Sequence, residues 1–110
     1  MNNFLEYLRV GAADLGRGTN VNVTIKPDME AIGQAVADDM FEEIARARKE
    51  DRSATLIVPV GPIDGYPILA ERLRREKISI RDAMFINMDE YLTADGGWIP
   101  LVHPLSFRAF

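Results

Sequence analysis

The sequence predicts an α/β fold, a parallel sheet with flanking helices that is Rossmann-like in the modified doubly wound sense. Three observations predict it. Ile32, Val36, Met40 and Ile44 recur every fourth residue, which is a helical period. A continuous, β-branched run from Thr55 to Val60 follows, and a second apolar run from Ala83 to Asn87 lies beyond a Gly/Pro loop and another helical stretch. Continuous apolar runs suit parallel strands, because helices crossing over between them cover both faces.

The elements are justified in chain order. Phe4, Leu5 and Leu8 fall on one side of a short helix from Phe4 to Val10. Gly11 to Asn20 is rich in Gly and small residues and reads as a loop. Val21, Val23 and Ile25 alternate with polar residues and read as a short strand, stopped by Pro27 and Asp28. Asp28 is a good N-cap for a helix from Met29 to about Lys49. In that helix Phe41 joins the apolar stripe, while Asp38, Asp39, Glu42, Glu43, Arg46 and Arg48 cover the other face. Glu42 and Arg46 stand four apart, a pairing that contributes a few tenths of a kcal/mol.

The run Thr55 to Val60 is a buried strand, and Val60-Gly61-Pro62-Ile63-Asp64-Gly65-Tyr66-Pro67 is the loop after it. Pro67 fits the first position of a helix that runs to about Lys77 and buries Ile68, Leu69 and Leu73. The cations Arg72, Arg74, Arg75 and Lys77 suit the solvated C-terminal end of that helix better than a phosphate patch. Ile78 to Asp82 connects to a buried strand, Ala83 to Asn87. Thr93 to Pro100, with its Asp-Gly-Gly, reads as a mobile loop. Ser106 looks like a helix N-cap with only four residues after it, so the chain is expected to stop inside an element. About three strands are too few for a sheet covered on both faces. Residues 1–110 are therefore expected to form the N-terminal part of one domain, incomplete by itself, whose exposed apolar edge favours homo-oligomers.

Composition excludes several function classes. Hydrophobic residues at 47% and charged residues at 27% are ordinary for a soluble globular chain. A net charge of -4 argues against nonspecific attraction to nucleic acid or anionic membranes. Without cysteine there is no disulfide, thiolate metal site or cysteine nucleophile. No apolar run approaches the roughly 18 residues of a membrane span, and the segment containing Glu6 and Arg9 is no signal peptide. A cytoplasmic location is expected.

The chemistry concentrates in Asn87-Met88-Asp89-Glu90-Tyr91, followed by His103-Pro104-Leu105-Ser106. In open α/β sheets ligands sit outside the carboxyl ends of the strands, which is where Asp89 and Glu90 stand. Adjacent carboxylates in a partly closed site raise each other's proton affinity, so one is suited to serve as a general base. The alternative is a solvated turn. Asn87 suits a sugar hydroxyl or a backbone turn, and Tyr91 and Trp98 suit sugar stacking or packing. His103, the only histidine, is a candidate substrate-binding residue or a structural one, and it has no partner cluster for zinc. Gly61, Asp64 and Gly65 lie where helix-start N–H groups hold phosphates in other proteins, although the loop matches neither the P-loop nor the dinucleotide fingerprint. Asp64 would repel a phosphate directly over the loop and suits a sugar hydroxyl or a cation.

From about Asn22 onward the chain resembles the first third of the glucosamine-6-phosphate deaminase/isomerase family, in element order and in the Asn-Met-Asp-Glu-Tyr … His-Pro-x-Ser segment. The resemblance implies an aminosugar phosphate as substrate, converted to a ketose phosphate with loss of ammonia, and no organic cofactor or metal. It implies that Asp89 takes the C2 proton and returns it at C1. It also implies that Glu90 and Tyr91 position Asp89, and that Ser106 lies near the site. The family's first phosphate loop usually reads Thr-Gly-Gly-Thr-Pro, where this chain has Ile63-Asp64-Gly65-Tyr66-Pro67. The family's ring-opening histidine, further acids and phosphate-binding lysine belong to its later portion, so these 110 residues alone are not expected to turn over. Two alternatives are a 6-phosphogluconolactonase-like hydrolase and a non-catalytic sugar-phosphate sensor.

Overall fold

A computed structural model describes residues 4–109, with the side chains of Phe4 and Leu5 outside the description. It contains helices α1 (Phe4–Tyr7), α2 (Met29–Lys49) and α3 (Gly65–Arg75), and strands β1 (Thr55–Val58) and β2 (Met84–Asn87). Short 3-10 turns occupy Ala12–Asp14 and Phe107–Ala109. Among the described residues no helix is long and apolar enough to cross a membrane.

Helix α2 has the expected bounds, because its signals are local. Asp28 Oδ1 accepts from the Ala31 N–H at 2.8 Å and so satisfies one orphan donor of the first turn. Its buried stripe is Gly33, Ala37, Met40, Phe41, Ile44 and Ala47. Ile32, at the start of the expected stripe, is exposed. The expected Glu42–Arg46 pair is absent; Arg46 pairs with Glu43 instead. Both long helices end in a left-handed residue that lets the chain turn back. Asp51 has φ 50° and Lys77 has φ 54°. The next amides close the turns, Arg52 N to Ala47 O at 3.0 Å and Ile78 N to Leu73 O at 2.9 Å.

Strands β1 and β2 pair in parallel, with Leu56 opposite Phe85 and Val58 opposite Asn87. With α3 as the crossover they make one β-α-β unit, the repeating piece of a Rossmann-like arrangement. Helices α2 and α3 pack on each other and share one core with the sheet: Phe41 and Ile44, Leu69 and Leu73, Val58 and Ala54. Burying each larger side chain here contributes roughly 1.5–3 kcal/mol. Arg72 closes the core's rim, with its guanidinium 3.7 Å from the Phe41 ring centroid and bonded to Asp38 at 2.5 Å. The other expected basic residues form a charged helix end, as Arg74 to Glu71 at 2.8 Å illustrates.

Several expectations are corrected. Val21, Val23 and Ile25 form no strand; the segment is unpaired, and all three side chains are exposed. Alternation alone makes no strand without an edge to pair with. The second strand is four residues rather than five, and every residue in it is exposed. Side chains alternate across a strand, so Ile57, Met84 and Ile86 face away from the helices and lie uncovered, at 65%, 57% and 43% exposure. The first strand stops at Val58, and Pro67 is the third helical residue rather than the first. Helix α1 ends at Tyr7, and Leu8 is exposed. The Cα radius of gyration is 18.1 Å, against about 13 Å for a compact domain of this length, so the chain is extended around its one core.

Candidate functional site

The carboxyl ends of β1 and β2 open together into a cavity of about 340 Å³. Its walls come from Val58 to Val60, from Ile63, Tyr66 and Pro67 of the following loop and helix, and from Asn87 at the end of β2. A hollow of about 390 Å³ lies at the opposite, amino ends, against Ala54 and Ala83. Ligands in open α/β sheets bind at the carboxyl ends, so the first cavity is the candidate. It is mostly apolar. The Tyr66 hydroxyl donates to the Pro59 carbonyl, and burial raises its proton affinity.

Two glycines set the loop over α2. Gly65, the first residue of α3, is buried, and a Cβ there would sit 3.0 Å from the Gly33 carbonyl oxygen and 3.4 Å from Val36. A Cβ on Gly33 would meet the Asp64 Cβ at 3.1 Å. The absence of a side chain at Gly65 thus serves helix contact. Gly61 is exposed, and a Cβ there would have nothing within 4 Å. Asp64 occupies the N-cap position of α3, yet its carboxylate makes no capping hydrogen bond and is exposed.

Beyond β2 the Met88 N–H still reaches the Val58 carbonyl at 2.9 Å, and the ladder then ends. Asp89 is exposed. Glu90 is anchored. Its Oε1 accepts from Tyr91 N at 2.8 Å and Phe107 N at 3.1 Å. Its Oε2 accepts from Ser106 Oγ at 3.0 Å, Arg108 N at 3.0 Å and Arg108 Nε at 3.3 Å. Burial alone would raise the Glu90 pKa. The amides of Arg108, Phe107 and Tyr91 and the Ser106 hydroxyl outweigh it and hold the pKa at about 2. The expectation that the acid pair raises its own proton affinity is therefore corrected at Glu90, because five donors stabilise its charged form.

Residues 106–108 are latched to the strand end. Asn87 Nδ2 donates to the Phe107 carbonyl at 3.1 Å, and the Tyr91 and Phe107 rings meet at 5.3 Å between centroids. Ser106 is buried, but its hydroxyl serves Glu90 rather than capping a helix. Glu90 itself caps the 3-10 turn. The expected residues Asn87, Glu90, Tyr91 and Ser106 thus come together. His103 is exposed and bonds within its own turn, Nδ1 accepting from Leu105 N at 3.1 Å. The segment expected to be a mobile loop is closed by Thr93 N to Gly97 O at 2.8 Å and by a bridge between Leu92 and Trp98. Sequence reasoning missed Arg108, whose guanidinium also donates to the Ile99 carbonyl and stands 5.6 Å from the Trp98 ring centroid. The only cue was a cation two residues after Ser106.

The chain is similar to glucosamine-6-phosphate deaminase of Proteus mirabilis (strain HI4320), with 36% identity over 84 residues. The match covers 74% of this chain and 30% of that protein, so the chain spans less than a third of the relative's length. No family model matches the chain, and no solved structure matches it.

Proposed function

We propose that this chain carries the proton-transfer end of an aminosugar-phosphate isomerase/deaminase site, with Asp89 as the base. The observation that supports it most is the division of labour between the two carboxylates. Glu90 is fully occupied in holding residues 106–108, whereas Asp89 stands exposed just past the carboxyl end of β2. A free carboxylate at that end of a parallel strand is placed for a ligand.

In the open-chain aldose, Asp89 removes the C2 proton. The C2–H electrons form a C1=C2 double bond as the C1 oxygen gains a proton. Return of the proton to C1, as the nitrogen lone pair forms a C=N bond, leaves a hydroxymethyl group at C1 and an iminium at C2. Water adds there, and ammonia departs to give the ketose phosphate. A positioned base contributes about 10²–10⁴-fold to such a step. Asn87, which lines the cavity, and Tyr91 belong to the substrate side of this reading.

Proton NMR of glucosamine 6-phosphate in deuterated water, with the longest available chain that contains these 110 residues, tests it. Deuterium uptake at C2 is expected, falling at least about 100-fold in Asp89→Asn. That variant is expected to unfold within about 0.5 kcal/mol of wild type, because the residue is exposed. The exposed Asp64 favours a second reading, a sugar sensor without catalysis. Binding of the sugar with no exchange at C2 by folded protein supports the sensor, and absence of binding removes both readings.

A further inference from the structure

Asp89 and Glu90 lead directly into a small antiparallel hairpin, residues 91–99. Its legs meet at the Leu92–Trp98 bridge, and the Ile99 N–H donates to the Tyr91 carbonyl at 3.2 Å. Thr93 N to Gly97 O, at 2.8 Å, closes the tip. The sheet ladder has ended at Met88, so the strands do not set the direction of the first leg. Whatever sets that direction also sets where Asp89 stands, just ahead of it.

Arg108 straddles the mouth of this hairpin. Its Nε donates to Glu90 Oε2 at 3.3 Å on the entering side, and its Nη2 donates to the Ile99 carbonyl on the leaving side. The same guanidinium stands 5.6 Å from the Trp98 ring centroid. Ile99 is buried, and a buried carbonyl needs a partner. A planar guanidinium holds several donors in a fixed fork, so it spans both legs where the point charge of an ammonium would serve one. Glu90 keeps its anchor without this side chain, because Tyr91 N, Phe107 N, Arg108 N and Ser106 Oγ all donate to it. The guanidinium therefore serves the hairpin more than it serves the carboxylate.

We propose that Arg108 is a positioning residue for Asp89: by bridging Glu90 to Ile99 it holds the hairpin mouth closed and fixes the backbone that carries Asp89. The inference rests on the reading of Asp89 as the base and names the side chain that keeps it in place.

Arg108→Lys and Arg108→Ala test this in the longest available chain that contains these residues, with circular dichroism verifying the fold. Alanine removes both bonds; lysine keeps the charge and loses the fork. The first readout is amide hydrogen exchange by NMR without substrate. The Thr93 and Ile99 amides are expected to exchange at least about tenfold faster in both variants, while the Met88 amide, bonded to Val58, is unchanged. The second is deuterium uptake at C2 of glucosamine 6-phosphate. There kcat is expected to fall about tenfold or more, with KM within about twofold of wild type and lysine close to alanine. Unchanged exchange at Thr93 and Ile99 overturns the bridge. Unchanged kcat, full rescue by lysine, or a rise in KM alone overturns the positioning role, the last by making Arg108 a substrate contact. Each of these against an active wild type sinks this proposal alone. A wild type that takes up no deuterium at C2 sinks the functional reading, and the positioning role with it.

Discussion

The contact between Gly33 and Gly65 is where fold and site meet, and it sets a quantitative test. In Gly65→Ala the new Cβ lies 3.0 Å from a backbone carbonyl of α2 and 3.4 Å from two atoms of Val36. A helix backbone cannot swing aside as a flexible side chain can, so α3 must shift. Overpacking of this kind costs about 1–3 kcal/mol. Replacing Gly by Ala returns about 0.4–1 kcal/mol by restricting the unfolded chain. The net expectation is a loss of about 1 kcal/mol. Gly33→Ala, whose Cβ meets Asp64 at 3.1–3.2 Å, is expected to behave alike. The two effects should not add, because both substitutions relieve themselves by parting the same surfaces. Gly61→Ala is the control, with nothing within 4 Å of its Cβ and no positive φ; it is expected within about 0.5 kcal/mol of wild type. Urea unfolding followed by circular dichroism measures wild type, the three single variants and the Gly33/Gly65 double variant. Equal stability of Gly65→Ala and Gly61→Ala would refute the claim that close helix approach requires the glycine.

Two other perturbations follow from the structure. The pKa of Glu90 is held at about 2, below its ordinary 4.5, so its latch contributes fully above about pH 4.5 and is lost as pH falls toward 2. Trp98 fluorescence, sensitive to the Arg108 stack, should report that release, and Ser106→Ala should move it to higher pH; a midpoint unmoved by the substitution counts against the latch. Lys77 adopts a left-handed conformation that glycine takes without strain, so Lys77→Gly should stabilise by about 0.5–1 kcal/mol in the same urea assay, and destabilisation would contradict the C-terminal turn described.

What the sequence made legible was local. Helix α2 carries its own cap, a periodic stripe and a basic last turn, and its limits were readable from those signals. The apolar run of β1 and the Gly/Pro punctuation before α3 were readable for the same reason. Val21 to Ile25 has an equally clear alternating pattern, yet a strand exists only when a neighbour offers an edge, and that is a tertiary condition. The exposure of β2 is a similar case: an apolar run specifies a preference for burial, and only packed neighbours supply the burial. Gly33 shows how helix contacts escape pattern reading, because its reason lies in Asp64 and Gly65, about thirty residues away.

The acid pair at the end of β2 was legible as a candidate site, but its two members look equivalent in sequence. What separates them is the turn at 106–108, which brings two of its own amides, a hydroxyl and a guanidinium to one carboxylate and none to the other. A carboxylate that accepts five hydrogen bonds while its pKa sits at about 2 remains an anion at neutral pH and offers poor access to a substrate proton. Proton transfer in the proposed reaction therefore falls to Asp89. The structural task falls to Glu90, and the two are separable by experiment. Loss of charge at Asp89 should abolish exchange at C2 while leaving Trp98 fluorescence unchanged. Loss of charge at Glu90 should disturb Trp98 first and affect exchange only through the displaced turn. Identical behaviour of Asp89→Asn and Glu90→Gln in both measurements would mean that the carboxylates act as one unit, and the assignment of separate roles would fail.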